Sequence, residues 1–350
     1  MQEQNDPTPL SRVGEFGLID RLTKQIKIYN DSTIVGVGDD AAVISNEKGF
    51  SLISTDMLVE GVHFDLLYTP LKHLGYKAVV VNLSDIYAMN AHPKQITVSI
   101  AASNRISVEA LEEIYEGIQL ACEFYKVDLV GGDTTSSLSG LIISVTAIGI
   151  ADKNKVVKRS GAKENDLICV SGDLGAAFAG LQLLEREKAV YEENQNMQPD
   201  FSGKDYVLER QLKPEARKEI IDFFEKEGIV PTAMIDISDG LSSELLHLAK
   251  SSNVGIQIYE EKIPIDPTTV TALEDFNLNP TTVALNGGED YELLFTVPLS
   301  LHNKIKSAPN IQIIGHITDK KEGTHMVTKG SNTLVELQAQ GWQSKMDEEY

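Results

Sequence analysis

Acidic residues in this chain stand where apolar runs end. They occur in Gly36-Val37-Gly38-Asp39-Asp40, Ser54-Thr55-Asp56, Asn82-Leu83-Ser84-Asp85, Gly131-Gly132-Asp133-Thr134, Asp236-Ile237-Ser238-Asp239-Gly240 and Gly287-Gly288-Glu289-Asp290. Most follow a short β-branched stretch and lie beside Gly, Ser or Thr. A carboxylate in such a position is costly to bury unless a cation neutralises it. Repeated in so many segments, the pattern suggests a pool of metal ligands built from several strand ends. Mg²⁺ takes a few carboxylates together with substrate phosphates, so the pattern points to phosphate chemistry.

The charge balance supports that reading and excludes others. The 52 acidic and 31 basic residues give a net charge of −21. A field of that sign opposes nucleic acid and anionic membranes. It also opposes bare phosphates, unless metal ions invert the local charge. No apolar run reaches the roughly 18 residues of a membrane span. The segment Met1 to Pro7 lacks the basic start and apolar core of a signal peptide. Cys122 and Cys169 offer neither a disulfide framework nor metal-ligand spacing. A soluble cytoplasmic protein is expected, and 350 residues suffice for two domains.

Periodicity predicts a helix over Glu15 to Ile28, short strands over Thr33–Val37, Ala41–Ile44 and Ser51–Thr55, and a mostly apolar helix over Leu71 to Met89. A strand at Gln95–Ala101, an amphipathic helix at Val108–Tyr125, and strands at Asp128–Val130 and Leu141–Ile150 complete the first half. The Lys-, Asn- and Gly-rich segment Ala151–Asp166 reads as the link between a domain over 1–150 and another over 151–350. Beyond it, strands and helices alternate without a βαβ rhythm, around a polar excursion at Glu185–Tyr206. This favours α+β domains over a doubly wound sheet.

Taken singly, each motif has an ordinary explanation. Asp39-Asp40 suits a hairpin turn, Ser54-Thr55-Asp56 a cap, and Asp239 the start of a helix whose dipole favours negative charge. Asp85 lies in a helix beside the apolar Val79 to Leu83, where a buried carboxylate needs a metal or a base. Asp236 ends an apolar strand, which capping does not explain. Gly131-Gly132-Asp133 follows a strand and can offer backbone N–H groups to phosphate, yet no P-loop signature occurs anywhere. Arg159, in Lys158-Arg159-Ser160-Gly161-Ala162, is a candidate phosphate cation. In Gly287-Gly288-Glu289-Asp290-Tyr291-Glu292, three acids lead into an apolar strand. His63 is a candidate phosphate contact; no Ser/His/Asp or Cys/His arrangement suggests a nucleophile.

The ordered set of strings resembles thiamine-monophosphate kinase, of the PurM-like superfamily of ATP-dependent enzymes, over nearly the whole chain. The resemblance rests on Gly-Val-Gly-Asp-Asp-Ala, Ser-Thr-Asp-Met-Leu-Val-Glu-Gly-Val-His-Phe, Leu-Ser-Asp, Gly-Gly-Asp-Thr, Arg-Ser-Gly-Ala, Ile-Asp-Ile-Ser-Asp-Gly-Leu and Gly-Gly-Glu-Asp-Tyr-Glu-Leu. It implies a two-domain α+β chain, with an N-terminal mixed-sheet dimerisation domain and a C-terminal α/β sandwich domain. It also implies γ-phosphoryl transfer from ATP to thiamine monophosphate within a homodimer, with several Mg²⁺ ions. Carried over by residue, Asp39, Ser54, Thr55, Asp56, Asp85, Asp133, Asp236 and Asp239 hold metal. Tyr115, Gly132, Asp133, Arg159 and Ser238 contact ATP, while His63, Glu289 and Trp342 face thiamine monophosphate. Asp56, Asp133 and Arg159 carry the catalytic burden. Asp40, Asp290 and Glu292 fall to structural or supporting roles.

Related readings are weighed by their cysteines. Selenophosphate synthetase would want a reactive Cys near the N-terminus, whereas the first here is Cys122. A hydrogenase-maturation protein would want a C-terminal Cys, where this chain reads Asp347-Glu348-Glu349-Tyr350. Aminoimidazole ribonucleotide synthetase is a third PurM-like alternative. A non-catalytic metal-binding module predicts Ca²⁺-loop spacing, which Asp236-Ile237-Ser238-Asp239-Gly240 does not have.

Overall fold

The structure, a computed structural model, describes residues 29–36, 38–46, 49–195 and 198–339. The helix expected over Glu15 to Ile28, Trp342 and the acidic tail lie outside the described residues.

The first half runs β1 (Thr33–Val35), β2 (Ala42–Ser45), β3 (Phe50–Val59), α1 (Leu71–Ala88), β4 (His92–Ala102), α2 (Val108–Tyr125), β5 (Asp128–Ser136) and β6 (Leu141–Ala151). Its strands form one six-stranded sheet in the order β1-β2-β3-β6-β4-β5, antiparallel except for the β4–β5 pair. The second half runs β7 (Leu167–Ser171), α3 (Ala176–Glu193), α4 (Asp205–Leu212), α5 (Lys218–Glu227), β8 (Ala233–Ile237), α6 (Leu241–Ser252), β9 (Gly255–Tyr259), α7 (Pro267–Glu274), α8 (Pro280–Asn286), β10 (Glu292–Val297), α9 (His302–Lys306), β11 (Ile311–Thr318), β12 (Thr324–Val327) and β13 (Leu334–Glu336). These strands form a seven-stranded sheet in the order β13-β12-β9-β11-β7-β10-β8.

Strand alternation explains how the sheets share a core. Ile96, Val98 and Ile100 of β4 and Ile143, Val145 and Ala147 of β6 point inward. They belong to the same apolar cluster as Cys169 of β7, Met234 of β8 and Leu293, Phe295 and Val297 of β10. The intervening residues Ile168, Val170, Ile235, Ile237 and Leu294 pack on the opposite face of the second sheet, against α6 residues Leu241, Leu245 and Leu248. Strands buried on both faces read as continuous apolar runs, as β7, β8 and β10 do.

Helix α1 lies between the layers. It packs on β3, β4 and β6, beside α2, and against β8 of the second sheet, which explains why its sequence lacks an amphipathic stripe. Two glycines bring α1 and α2 into backbone contact: a Cβ on Gly75 would lie 1.9 Å from the Ile114 carbonyl oxygen, and one on Gly117 1.9 Å from that of Lys72. Helix α2 starts at Ser107, whose hydroxyl accepts from the Ala110 N–H at 3.2 Å, and buries Ile114, Ile118, Ala121 and Tyr125.

Two expectations are corrected. The Gly131-Gly132-Asp133-Thr134 string does not follow a strand but lies inside β5, an edge strand whose nine residues are all exposed. Glycine is required there because a Cβ on Gly132 would meet the Val98 carbonyl oxygen at 1.8 Å. The polar stretch from Glu185 is not an excursion at its start: α3 continues to Glu193, burying Leu183, Leu184 and Glu187. Among the described residues no helix is long and apolar enough to cross a membrane.

Candidate active site

A cavity of about 770 Å³ opens between the sheets. Its base is built by α1. Neighbouring positions within one turn of this helix reach different segments: the Asn82 side-chain oxygen accepts the Asp56 N–H at 2.9 Å, and the Ser84 hydroxyl donates to Asp236 at 2.6 Å. Asp85 accepts from the Ser54 hydroxyl. One helix therefore ties the inner face of β3 to the end of β8. Carboxylate oxygens of Asp40, Asp85 and Asp236 lie within 4.8 Å of one another. Asp39, Asp56 and Asp239 line the same cavity.

This placement makes ionisation expensive. Burial and the neighbouring Asp40 charge push Asp39 up to about 6. Burial and Asp40 likewise push Asp236 up to about 7, opposed by the Ser84 hydrogen bond. Asp85 is raised well above the ordinary carboxylate range by burial, then by the charges of Asp56, Asp236 and Asp40. Among the described residues Arg159 supplies the one guanidinium that lines the cavity, and it pairs with one oxygen of Asp40 through Nη2 at 2.7 Å and Nε at 3.2 Å. The other oxygen, Asp40 Oδ2, is buried with no hydrogen-bond partner among the described residues. Hard oxygen donors, mutual repulsion and an orphaned carboxylate oxygen together fit a divalent cation such as Mg²⁺. Asp40 thus stands in the acid cluster and also holds Arg159, the latter in keeping with the supporting role expected for it. Its sequence signal is the same as that of Asp39, its neighbour in Gly-Asp-Asp-Ala.

The opposite wall is the loop after α8. Glu289 and Tyr291 adopt left-handed backbone angles, φ 65° and 51°, a conformation costly for residues other than glycine. The loop is held on the β8 end by hydrogen bonds from Glu289 N–H to Ser238 O at 2.7 Å and from Tyr291 N–H to Ile237 O at 2.8 Å. Gly288 allows this approach, since its Cβ would lie 2.4 Å from the Ser238 oxygen. Beneath the loop, Arg210 and Arg217 both pair with the fully buried Glu292, and Arg210 also donates to the Asp173 and Asp290 carbonyls. Asp290 accepts the Gly175 N–H at 2.8 Å at the start of α3. These contacts explain the acids that lead into a core strand.

His63 lines the cavity, and its Nδ1 accepts the Val59 N–H at 3.0 Å. That bond places the imidazole proton on Nε2 and makes it a donor. Glu244, overlooked in the sequence, is buried in α6 and accepts the Ser238 and Asp239 N–H groups at 3.3 and 2.9 Å.

Several expected site residues are not brought together. Gly132, Asp133 and the half-buried Tyr115 do not line the cavity. Register places Asp133 opposite Ser99, Ser99 opposite Ser144, and Ser144 opposite Met57. Asp133 is therefore three strands, or about 14 Å, from the strand of Asp56. The Thr55 hydroxyl donates across the sheet to Val145 O, so that residue meets the cavity without directing its hydroxyl there. Arg159 and Ser238 do line it.

Known proteins resemble this chain along most of its length. Two family models match: AIR synthase related protein, N-terminal domain, over residues 38–151, and its C-terminal domain over 163–328. The thiamine-monophosphate kinase of Bacillus subtilis (strain 168) is 35% identical over 337 residues, covering 94% of this chain and 98% of that one. A solved structure described as AaThiL complexed with AMPPCP and TMP superposes with a TM-score of 0.81 at 34% identity, covering 96% and 99% of the two chains. The hydrogenase maturation protein HypE in complex with ATP, at 18% identity and a TM-score of 0.69 over 97% and 100%, shares the fold alone. The architecture is the expected PurM-like α+β fold. The chain belongs to the thiamine-monophosphate kinase family of AIR synthase related proteins.

Proposed function

We propose that this chain transfers the γ-phosphoryl group of ATP directly to the phosphate of thiamine monophosphate, giving thiamine diphosphate and ADP. The carrying observation is one cavity with carboxylates of Asp40, Asp85 and Asp236 at its base and His63 and Glu289 on its walls. An oxygen of the acceptor phosphate forms the new bond to Pγ as the bond from Pγ to the β,γ-bridging oxygen breaks in line. The acceptor oxygen is already ionised near neutral pH, so no general base is needed, and none of the cavity residues is assigned that role.

Asp39, Asp40, Asp56, Asp85, Asp236 and Asp239, with the Ser54 hydroxyl and the Thr55 backbone, would hold Mg²⁺. Bound Mg²⁺ supplies neutralisation of phosphate charge in a loose transition state. Arg159, held by Asp40, lies against the polyphosphate, near Ser238. His63 donates from Nε2 to the acceptor phosphate, and Glu289 orients the thiamine moiety. Trp342 is retained as a substrate contact from the family pattern.

Asp133 and Gly132 enter through a homodimer. Edge strand β5 is uncovered, and Met57, Leu120, Phe124 and Val130 expose apolar side chains on the same half of the molecule. Pairing of two N-terminal domains (1–150) would cover them and bring Asp133, Gly132 and Tyr115 of one copy toward the nucleotide of the other, with 151–350 contributing polyphosphate and acceptor contacts. The reaction is assigned to the cytoplasm, in keeping with two free thiols.

The deciding experiment incubates the protein with Mg-ATP and thiamine monophosphate and separates the products. Stoichiometric thiamine diphosphate and ADP are expected. ATP consumption only with a different acceptor would refute the assignment.

A further inference from the structure

Lys77 is 3% exposed, lies in the middle of α1 and does not line the cavity. A buried ammonium is retained only when it is paired and hydrogen-bonded. Its Nζ is 3.0 Å from Glu289 Oε1 and donates to the Gln211 carbonyl oxygen at 3.1 Å. Gln211 Nε2 in turn donates to Glu289 Oε2 at 2.8 Å. Both oxygens of Glu289 are thus engaged, one from each half of the molecule, with Gln211 itself lining the cavity. Each carboxylate oxygen has two acceptor directions, so each keeps accepting capacity beyond this grip. The residue so held sits on a loop with a left-handed backbone, where the side chain has no regular element to orient it.

We infer that Lys77 is a positioning residue that fixes the Glu289 carboxylate against the acceptor substrate. The inference rests on the assignment of Glu289 to that substrate. Helix α1 would then set both ends of the reaction: Asp85 and Ser84 order the metal side, and Lys77, two turns earlier, orders the acceptor side.

A double-mutant cycle tests it, with KM for thiamine monophosphate and for ATP measured on Lys77→Met, Glu289→Gln and the double variant. Loss of a charged hydrogen bond predicts that each single variant raises KM for thiamine monophosphate by about tenfold, with KM for ATP little changed. The double variant should be no worse than Glu289→Gln alone, because Lys77 acts only through Glu289. Multiplied effects in the double variant, or equal rises in both KM values, would overturn the inference. An unchanged KM in Glu289→Gln would instead overturn the assignment of Glu289 on which it depends. Should Lys77→Met fail to fold, recovery of folding in the double variant supports the pairing. Failure of the double variant and of Lys77→Gln/Glu289→Gln alike would make Lys77 a packing residue only.

Discussion

Ser84 and Asp236, separated by 152 positions in sequence, are joined by a 2.6 Å hydrogen bond from hydroxyl to carboxylate. The bond crosses from α1 to the end of β8 and favours the ionised form of an acid that burial pushes up to about 7. On the proposed role of Asp236 as a Mg²⁺ ligand, loss of such a partner lowers metal affinity by about tenfold or more. Ser84→Ala is therefore expected to shift the Mg²⁺ activation midpoint upward by about that factor, read from initial rates at saturating ATP and thiamine monophosphate. A wild-type midpoint would remove Ser84 from the role.

The distance between β3 and β5 gives a test of the site proposed to be shared between two copies. Asp56→Asn and Asp133→Asn are each expected to abolish turnover while leaving the fold intact. When the two inactive proteins are unfolded together and refolded, random pairing yields half heterodimers with one complete site each, or about a quarter of wild-type activity. Absence of any recovery, with dimers present by light scattering, would mean that Asp133 acts within its own chain.

Glu292, fully buried, pairs with two guanidinium groups. Glu292→Leu removes the carboxylate they share, for which a loss of about 3–5 kcal/mol is expected. Urea unfolding measures it. A change below about 1 kcal/mol would show that water reaches the arginines.

Asp290 sets a pH dependence of known sign. Burial raises its carboxyl from 3.8 to about 7, against the opposing Arg210 charge and the Gly175 hydrogen bond. A carboxyl with a raised folded pKa keeps its proton longer in the folded chain than in the unfolded one. The folded state is thus favoured at low pH and loses that advantage as pH rises from about 4 to 7, by about 1.4 kcal/mol per unit. Asp290→Asn has no such titration. The stability of wild type minus that of the variant should fall between pH 5 and 7 and level off above; a flat difference contradicts the raised value.

The α1–α2 contact predicts a steric effect. In Gly117→Ala the new methyl meets the Lys72 backbone oxygen, which cannot rotate away, so a loss of about 1–3 kcal/mol is expected. Gly131→Ala, with nothing within 4 Å of the new carbon, is the matched control in thermal unfolding.

What could be read from the sequence follows the strength of the local physics. Helix α2 was legible from its apolar stripe, and the Ser107 cap seen in the structure agrees with it. The acid segments were legible because buried carboxylates are costly enough to demand a reason. Asp40 was not separable from Asp39, since adjacent acids in one turn differ only in direction. The extension of α3 was obscured by its charge, although Phe178, Leu181, Glu185 and Lys188 recur at helical spacing along the cavity. Helices α7 and α8 were missed despite Asp266-Pro267 and Asn279-Pro280, where the side chains accept from Thr268 and Thr282 N–H and Pro fills the first helical position. Lys77 and Gln211 carried no signal, because their partner is more than 70 residues away.

Helix α1 has a consequence for how such a protein can vary. With 14 of its residues buried and Asp85 turned into the cavity, it offers from Leu74 onward no side on which change is free. A substitution there is judged twice, by the core and by the chemistry, and an improvement in one is exposed to loss in the other. Room for variation lies instead at exposed positions away from the cavity, such as Ala189 and Glu192 of α3, where a change meets neither the core nor the chemistry.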